Sequence, residues 1–245
     1  MPLNDTVALV TGANRGLGRA FAQHLLAEGA KVYAAARRPE TVDLPGAQVL
    51  RLDITDPAQV AAAAAQASDL TVLINNAGVQ TGADALTGAE ALLRAELETH
   101  LFGTLAVTRA FAPVLAANGG GAILTVHSAL SWFPLQGAGG YHIAKAAEWA
   151  LTNATRVELA GQGTQVTALH LGAADTDMTA GYTGPKLVPA ELARLALDGV
   201  AVGRAEILAD DWSRYIKSTL ADDPAEVYPE LTRRLTELAS TGAPH

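Results

Sequence analysis

Tyr141-His142-Ile143-Ala144-Lys145 sets a phenol and an ammonium four residues apart, a spacing that puts both on one face of a helix. A tyrosine, with a pKa of about 10, is a poor base at neutral pH, and a nearby cation favours its phenolate. Such a pair can move a proton to or from a substrate oxygen, as general acid in one direction and general base in the other. Taken alone, the spacing is more simply that of a surface pair. Ser128 stands 13 residues earlier, just past the apolar run Ala122–Val126; a serine there is, by itself, most simply a turn former. His127 and His142 each adjoin one of these residues, and with His100 they raise the question of a metal site. Neighbours along a strand point to opposite faces, so His127 should turn away from any cleft that Ser128 faces. On a helix His142 is rotated by about 100° from Tyr141. No metal is expected.

A second cluster, Thr11-Gly12-Ala13-Asn14-Arg15-Gly16-Leu17-Gly18, is glycine-rich and lies between an apolar run and a helical pattern. Glycines there permit a tight turn and a close approach of backbone to a pyrophosphate, and the helix start offers unpaired N–H donors and a partial positive charge. A glycine-rich turn alone is weak evidence, but between a strand and a helix it points to nucleotide binding.

The elements that must carry these residues alternate along the chain. Strands are expected at Thr6–Thr11, Lys31–Ala36, Gln48–Leu52, Thr71–Asn75, Ala122–Val126, Gln165–His170 and Glu206–Ala209. Helices are expected at about Arg15–Glu28, Pro57–Ala67 with Asp56 as N-cap, Gly88–Asn118 with a break near Gly103, and Tyr141–Gly161. Strands alternating with helices imply right-handed βαβ units and a parallel sheet. The expected fold is therefore α/β: one Rossmann domain over residues 1–245, a doubly wound parallel sheet of about seven strands with helices on both faces. A substrate loop and extra C-terminal helices, Asp210–Leu220 and Pro224–Ala239, would fill residues 177–245.

The Gly12-x-x-x-Gly16-x-Gly18 turn, Asp53-Ile54 after the third strand, Asn75-Asn76-Ala77-Gly78 after the fourth, Ser128, Tyr141-x-x-x-Lys145 and Gly172-Ala173-Ala174-Asp175-Thr176 occur in order along the chain. Together they resemble the short-chain dehydrogenase/reductase family over residues 6 to about 178. The resemblance implies hydride transfer between a nicotinamide dinucleotide and a carbonyl or alcohol. Ser128 would orient the carbonyl, Tyr141 would act as acid or base, and Lys145 would lower the tyrosine pKa and hold the nicotinamide ribose. Gly12, Asn14, Arg15, Gly16, Leu17 and Gly18 would cradle the dinucleotide. Asp53 and Ile54 would face the adenine, with Asn76, Ala77 and Gly78 nearby and Gly172, Ala174 and Thr176 at the nicotinamide. Leu171 stands where the family usually has a proline, and His100 where it usually has an asparagine whose carbonyl is thought to hold a relay water. For His100 three readings stay open: a disabled site, an altered relay or pocket, and a neutral replacement.

An acid near the end of the second strand would accept bonds from the adenosine ribose and mark an NAD enzyme. Here Ala36 has that place, and Arg37-Arg38 follow. Guanidinium groups bind a 2′-phosphate that a carboxylate would repel, so NADP(H) is expected, with Arg15 and Arg37 as its discriminators. Trp132, Phe133, Leu135 and Tyr182 are large groups near the expected substrate end of an aromatic-poor chain. They imply a bulky apolar or aryl carbonyl, or, for Trp132 and Phe133, core or interface anchors.

A net charge of −8 argues against a general nucleic-acid binder. No uninterrupted apolar run reaches the roughly 18 residues of a membrane span, and the first strand begins too early for a signal peptide. With no cysteine, disulfides and thiolate metal sites are excluded. The expectation is a cytoplasmic homo-oligomer, a dimer in preference to a tetramer, acting on a small molecule. The rivals are a nucleotide-binding redox sensor without turnover and an epimerase, imine reductase or dehalogenase on the same scaffold.

Overall fold

Val7–Thr11 (β1) and Val72–Asn75 (β4) lie side by side at the centre of a parallel sheet, because their residues are apolar on both faces and both faces are covered. Around them run Lys31–Ala36 (β2), Gln48–Arg51 (β3), Gly121–Val126 (β5), Thr164–His170 (β6) and Glu206–Leu208 (β7), in the order β3-β2-β1-β4-β5-β6-β7. All pairings are parallel. The computed structural model describes residues 2–241.

Alternation along the strands divides the core. Ala8, Val10, Val32, Ala34, Ile74 and Leu124 point to one face, where Gly16–Ala27 (α1) and Pro189–Ala201 (α6) pack together. Leu9, Leu73 and Ile123 point to the other, under Pro57–Gln66 (α2) and Thr104–Ala117 (α4). Glu90–Leu97 (α3) and Gly139–Glu158 (α5) pack against each other, and α5 also meets β6. Asp210 caps Asp211–Ser218 (α7), and Pro224–Thr241 (α8) follows. The chain reverses direction across the sheet between β1 and β4, so a crevice opens beyond their carboxyl ends, the usual ligand site of such sheets.

Two expectations need correction. The long helix begins at Glu90 and does not break near Gly103. Its path from α3 to α4 is continuous through a π-helical turn, Glu98–Gly103, which absorbs the irregularity without ending the helix. Helix α6, which the sequence reading does not place, fills the segment before β7; Pro189 opens it, and Leu192, Ala193, Ala196, Leu197 and Val200 form its buried stripe. The whole helix Glu90–Ala117 is long and apolar enough to cross a membrane, yet its Val107, Phe111 and Leu115 are buried in the core.

Candidate active site

The glycine turn is shaped by contacts that side chains would destroy. Gly12 adopts φ +67°, and a Cβ on Gly18 would stand 2.3 Å from the Gly12 carbonyl oxygen and 2.4 Å from Asn76 Nδ2. Thr11 ties this turn to the segment after β4: its hydroxyl accepts from the N–H of Asn76 (2.9 Å) and of Ala77 (3.0 Å), while Asn76 Nδ2 donates to the Thr11 carbonyl. Arg15 precedes α1 in extended conformation with no side-chain cap, leaving the first-turn amides for a ligand.

Along the same cleft, of about 1070 Å³, lie Asn14, Gly16, Leu17, Asp53, Ile54 and Gly78. Asn14 donates to Thr41 Oγ1 at 3.1 Å, and Asp53 Oδ1 accepts from the Thr55 N–H and hydroxyl, which holds the turn after β3. Gly172, Ala174 and Thr176 bound the opposite wall; the Gly172 N–H donates to Asp210 Oδ2 at 2.7 Å. Arg37 and Arg38 line the cleft and are exposed. Arg15 pairs with Asp177 at 3.0 Å, but both side chains are largely open to water, 66% and 76% exposed, so this bridge is weak and Arg15 is free to exchange partners.

Ser128, Tyr141 and Lys145 meet at the far end of the cleft. Ser128 follows β5, and its hydroxyl accepts from the Leu130 N–H at 3.1 Å, capping a single 3-10 turn. Tyr141 and Lys145 share a face of α5, with Lys145 Nζ 5.9 Å from the phenol ring centre. Burial pushes the Tyr141 pKa up; the Lys145 cation opposes this, Glu148 and Glu96 add to it, and the Ser128 hydroxyl opposes it, leaving the phenol above its ordinary value. Lys145 donates to the Val126 carbonyl (2.8 Å) and to Glu148 Oε2 (2.6 Å).

His100 lies in the π-helical turn, buried, with its ring edge-on to Tyr141 at 5.3 Å between centres. Its Nε2 lies 2.7 Å from the Val79 carbonyl. A Cβ on Gly78 would approach its Cε1 to 2.6 Å, so the imidazole takes space that only a glycine there leaves open. Burial first, then the Lys145 charge, lowers its pKa to about 4. It is therefore a neutral ring at neutral pH.

The sequence matches the family described as short chain dehydrogenase over residues 6–185. The chain belongs to the short-chain dehydrogenase family. A short chain dehydrogenase from Burkholderia cenocepacia, solved in complex with NADP, superposes with a TM-score of 0.89 at 36% identity, covering 94% of this chain and 99% of that one. A galactitol 2-dehydrogenase from Cereibacter sphaeroides is 33% identical over 189 residues, 72% of this chain and 74% of its own. A 3-oxoacyl-acyl-carrier-protein reductase from Salmonella typhimurium is 31% identical over 196 residues, 73% of this chain and 78% of its own. This short-chain dehydrogenase is thus an oxidoreductase by family.

Two large residues named from the sequence lie elsewhere than the cleft. Trp132 and Phe133 are buried in a third apolar cluster with Ile216 and Leu231, which decides for the core-anchor reading. Leu135 and Tyr182 do line the cleft, joined by Leu130, Met178, Trp212 and Leu235. Trp212 and Leu235 come from the C-terminal helices, whose amphipathic pattern is visible in the sequence although its direction is not. His127 is among the residues that bound the cleft, its ring fully buried with Nδ1 3.4 Å from Glu148 Oε2. His142 Nδ1 lies 2.6 Å from the Leu130 carbonyl. Glu148 and Glu96, both buried, are the groups that sequence reasoning missed; only their position one turn from a singled-out residue could have flagged them.

Proposed function

We propose that this oxidoreductase is an NADPH-dependent carbonyl reductase that interconverts a bulky apolar or aryl ketone and its secondary alcohol. The observation that carries the reading is the convergence of Ser128, Tyr141 and Lys145 at the end of a cleft whose other end is the glycine turn. The residues suit a dinucleotide. Gly12 and Gly18 leave room that any Cβ would fill, the α1 amides are uncapped, and Ala36 with Arg37 and Arg38 present guanidinium rather than carboxylate where a 2′-phosphate would lie. The NADP in the Burkholderia relative supports the same choice.

When bound, the cofactor supplies the hydride to the carbonyl carbon. The chain's own residues do the rest. The Ser128 hydroxyl donates to the carbonyl oxygen and fixes its direction, and the Tyr141 phenol gives that oxygen its proton as negative charge develops. Lys145 has three N–H donors; two are spent on Val126 and Glu148, and the third serves the nicotinamide ribose. His100, neutral and against the phenol ring, forms a wall of the site and holds Val79, rather than serving as an acid. Leu130, Leu135, Met178, Tyr182, Trp212 and Leu235 give the substrate end its apolar lining. Exposed Leu92, Phe102, Ile143 and Val157 on the long helices support a homodimer.

The test is cofactor consumption, followed by absorbance, with NADPH and NADH over a panel of aryl and alkyl ketones. The expected result is turnover that prefers NADPH and aryl ketones and falls at least 1000-fold in Tyr141→Phe, on the order of a lost proton-transfer contribution. NADPH binding without turnover on any ketone would move a redox sensor ahead of the reductase.

A further inference from the structure

Lys145 carries the cation on which the chemistry above depends, and it is almost wholly buried. Burying an ammonium costs several kcal/mol unless it is paired. Its partner is Glu148, one turn along α5, with Nζ and Oε2 2.6 Å apart and both side chains out of water. That carboxylate is hydrogen-bonded from two elements, with the His127 ring in contact beside it. Lys145 engages it from α5, the Thr104 hydroxyl donates to Oε1 at 2.9 Å from the start of α4, and His127 Nδ1 lies 3.4 Å from Oε2 at the end of β5. The His127 ring is fixed in turn by Thr152 Oγ1, 3.1 Å from Nε2. The carboxylate is thus enclosed, and the ammonium lies between its Oε2 and the Val126 carbonyl.

We propose that Glu148 is a positioning residue: it clamps the Lys145 ammonium in place and offsets its charge, so that Tyr141 enters the reaction as a proton donor. For its role this rests on the reductase reading. A lysine beside a tyrosine stabilises phenolate; a lysine neutralised by a carboxylate does so much less. The groups that face the phenol are Lys145 and Glu148 on α5, Glu96 on α3, His100 in the π-helical turn and Ser128 after β5. His100 is uncharged at neutral pH, so Lys145 and the two carboxylates set the field. Burial works against the Lys145 ammonium, but Glu148 and then Tyr141 outweigh it and hold its pKa above the ordinary lysine value. Burial also opposes the Glu148 charge, but Lys145 and His127 outweigh it and keep the carboxyl far below its usual range. The Lys145–Glu148 pair stays ionised across the working range while the phenol keeps its proton. Reduction, which consumes that proton, then runs at neutral pH, and oxidation of the alcohol requires alkaline solution.

The experiment is a titration of Tyr141 in the free protein, followed by NMR of tyrosines carrying a carbon-13 label at Cζ. The chain has five tyrosines, and Tyr141→Phe identifies the resonance. Removing the carboxylate takes from beside the phenol a negative charge that holds its pKa up, which makes loss of the phenolic proton easier. In Glu148→Gln the Tyr141 transition should therefore move down by about one pH unit or more, and in Glu148→Asp, which withdraws the carboxylate by one methylene, by part of that. If the Gln variant does not fold, the Asp variant carries the test. A Tyr141 transition that is unmoved or shifted upward overturns the proposal, whether or not ketones are reduced. Because the titration uses neither substrate nor cofactor, failure of the reductase reading shows up separately, in the absorbance assay alone.

Discussion

At the scale of single residues, the chemistry is decided by what surrounds each polar group more than by its type. Tyr141 and Lys145 were legible because their spacing puts both on one face of a helix and Ser128 and the glycine turn stand in order before them. Glu148 was not, since a glutamate on an amphipathic helix is ordinarily solvated and its burial depends on Thr104 and His127, 44 and 21 residues away in sequence. His100 shows the same dependence. Its identity is plain in the sequence, but only the packing against Gly78, Val79 and Tyr141 makes it neutral. That burial has a consequence for stability. With a folded-state pKa of about 4 against 6.5, His100 takes up a proton in the unfolded chain before it does in the folded one. Stability is therefore intact above about pH 6.5 and lost as the pH falls toward 4. His170, lowered to about 2, and His127, also lowered, act with the same sign. Replacing His100 with Asn should flatten the decline by on the order of 2 kcal/mol at pH 4.5. Urea midpoints of both proteins at pH 7 and pH 4.5 measure it, and parallel declines would refute the assignment.

At the scale of elements, the strands were read almost residue for residue; for the central β1 and β4 the reason is that a strand covered on both faces is a nearly unbroken apolar run with turn residues at its ends. Helix α6 escaped although its signals, Pro189 at the start and a buried stripe from Leu192 to Val200, were present. The substrate segment before it drew the whole region into a loop reading. The π-helical turn reads in the sequence as a break near Gly103, since one extra residue rotates a helix face by about 100° and interrupts the pattern much as a break would. The glycine turn is the reverse case, legible in both position and purpose. Its tightness can be tested. Gly18→Ala would press a methyl onto the Gly12 carbonyl and Asn76, costing about 1–3 kcal/mol as overpacking does, and NADPH affinity should fall at least tenfold as the cradle opens. Gly161→Ala, whose Cβ would meet nothing within 4 Å, should leave both unchanged. Calorimetry and fluorescence titration of the two variants separate the claims, and a Gly18 variant that binds like the parent would show that the turn has slack.

At the scale of the whole molecule, the C-terminal helices tie the segment after Ser128 to the cleft. The turn that begins at Ser128 continues into Trp132 and Phe133, and these anchor a cluster completed by Ile216 of α7 and Leu231 of α8. Trp132 stacks on His170 at 3.9 Å between centres, with Lys217 Nζ 4.7 Å above its ring, and Phe133 meets Tyr228 edge-on at 5.6 Å. Helices α7 and α8 thus brace the segment that carries the serine, and Trp212 and Leu235 reach past it into the cleft. Leu231 and Leu235, one turn apart on α8, should then behave differently. Leu231 is 1% exposed, and its truncation to alanine should cost 2–5 kcal/mol, as a cavity in a closed core does, while KM for a ketone that the protein reduces stays within about twofold. Leu235 is only partly buried and faces the cleft. Leu235→Ala should cost under about 1.5 kcal/mol, since part of its surface already meets solvent, yet it should shift the ketone preference toward larger substituents by several-fold in kcat/KM. Thermal unfolding and substrate profiles of the two variants decide it. Equal losses of stability with an unchanged substrate profile would mean that α8 is only a buttress and the substrate end is closed by Tyr182 and its own loop.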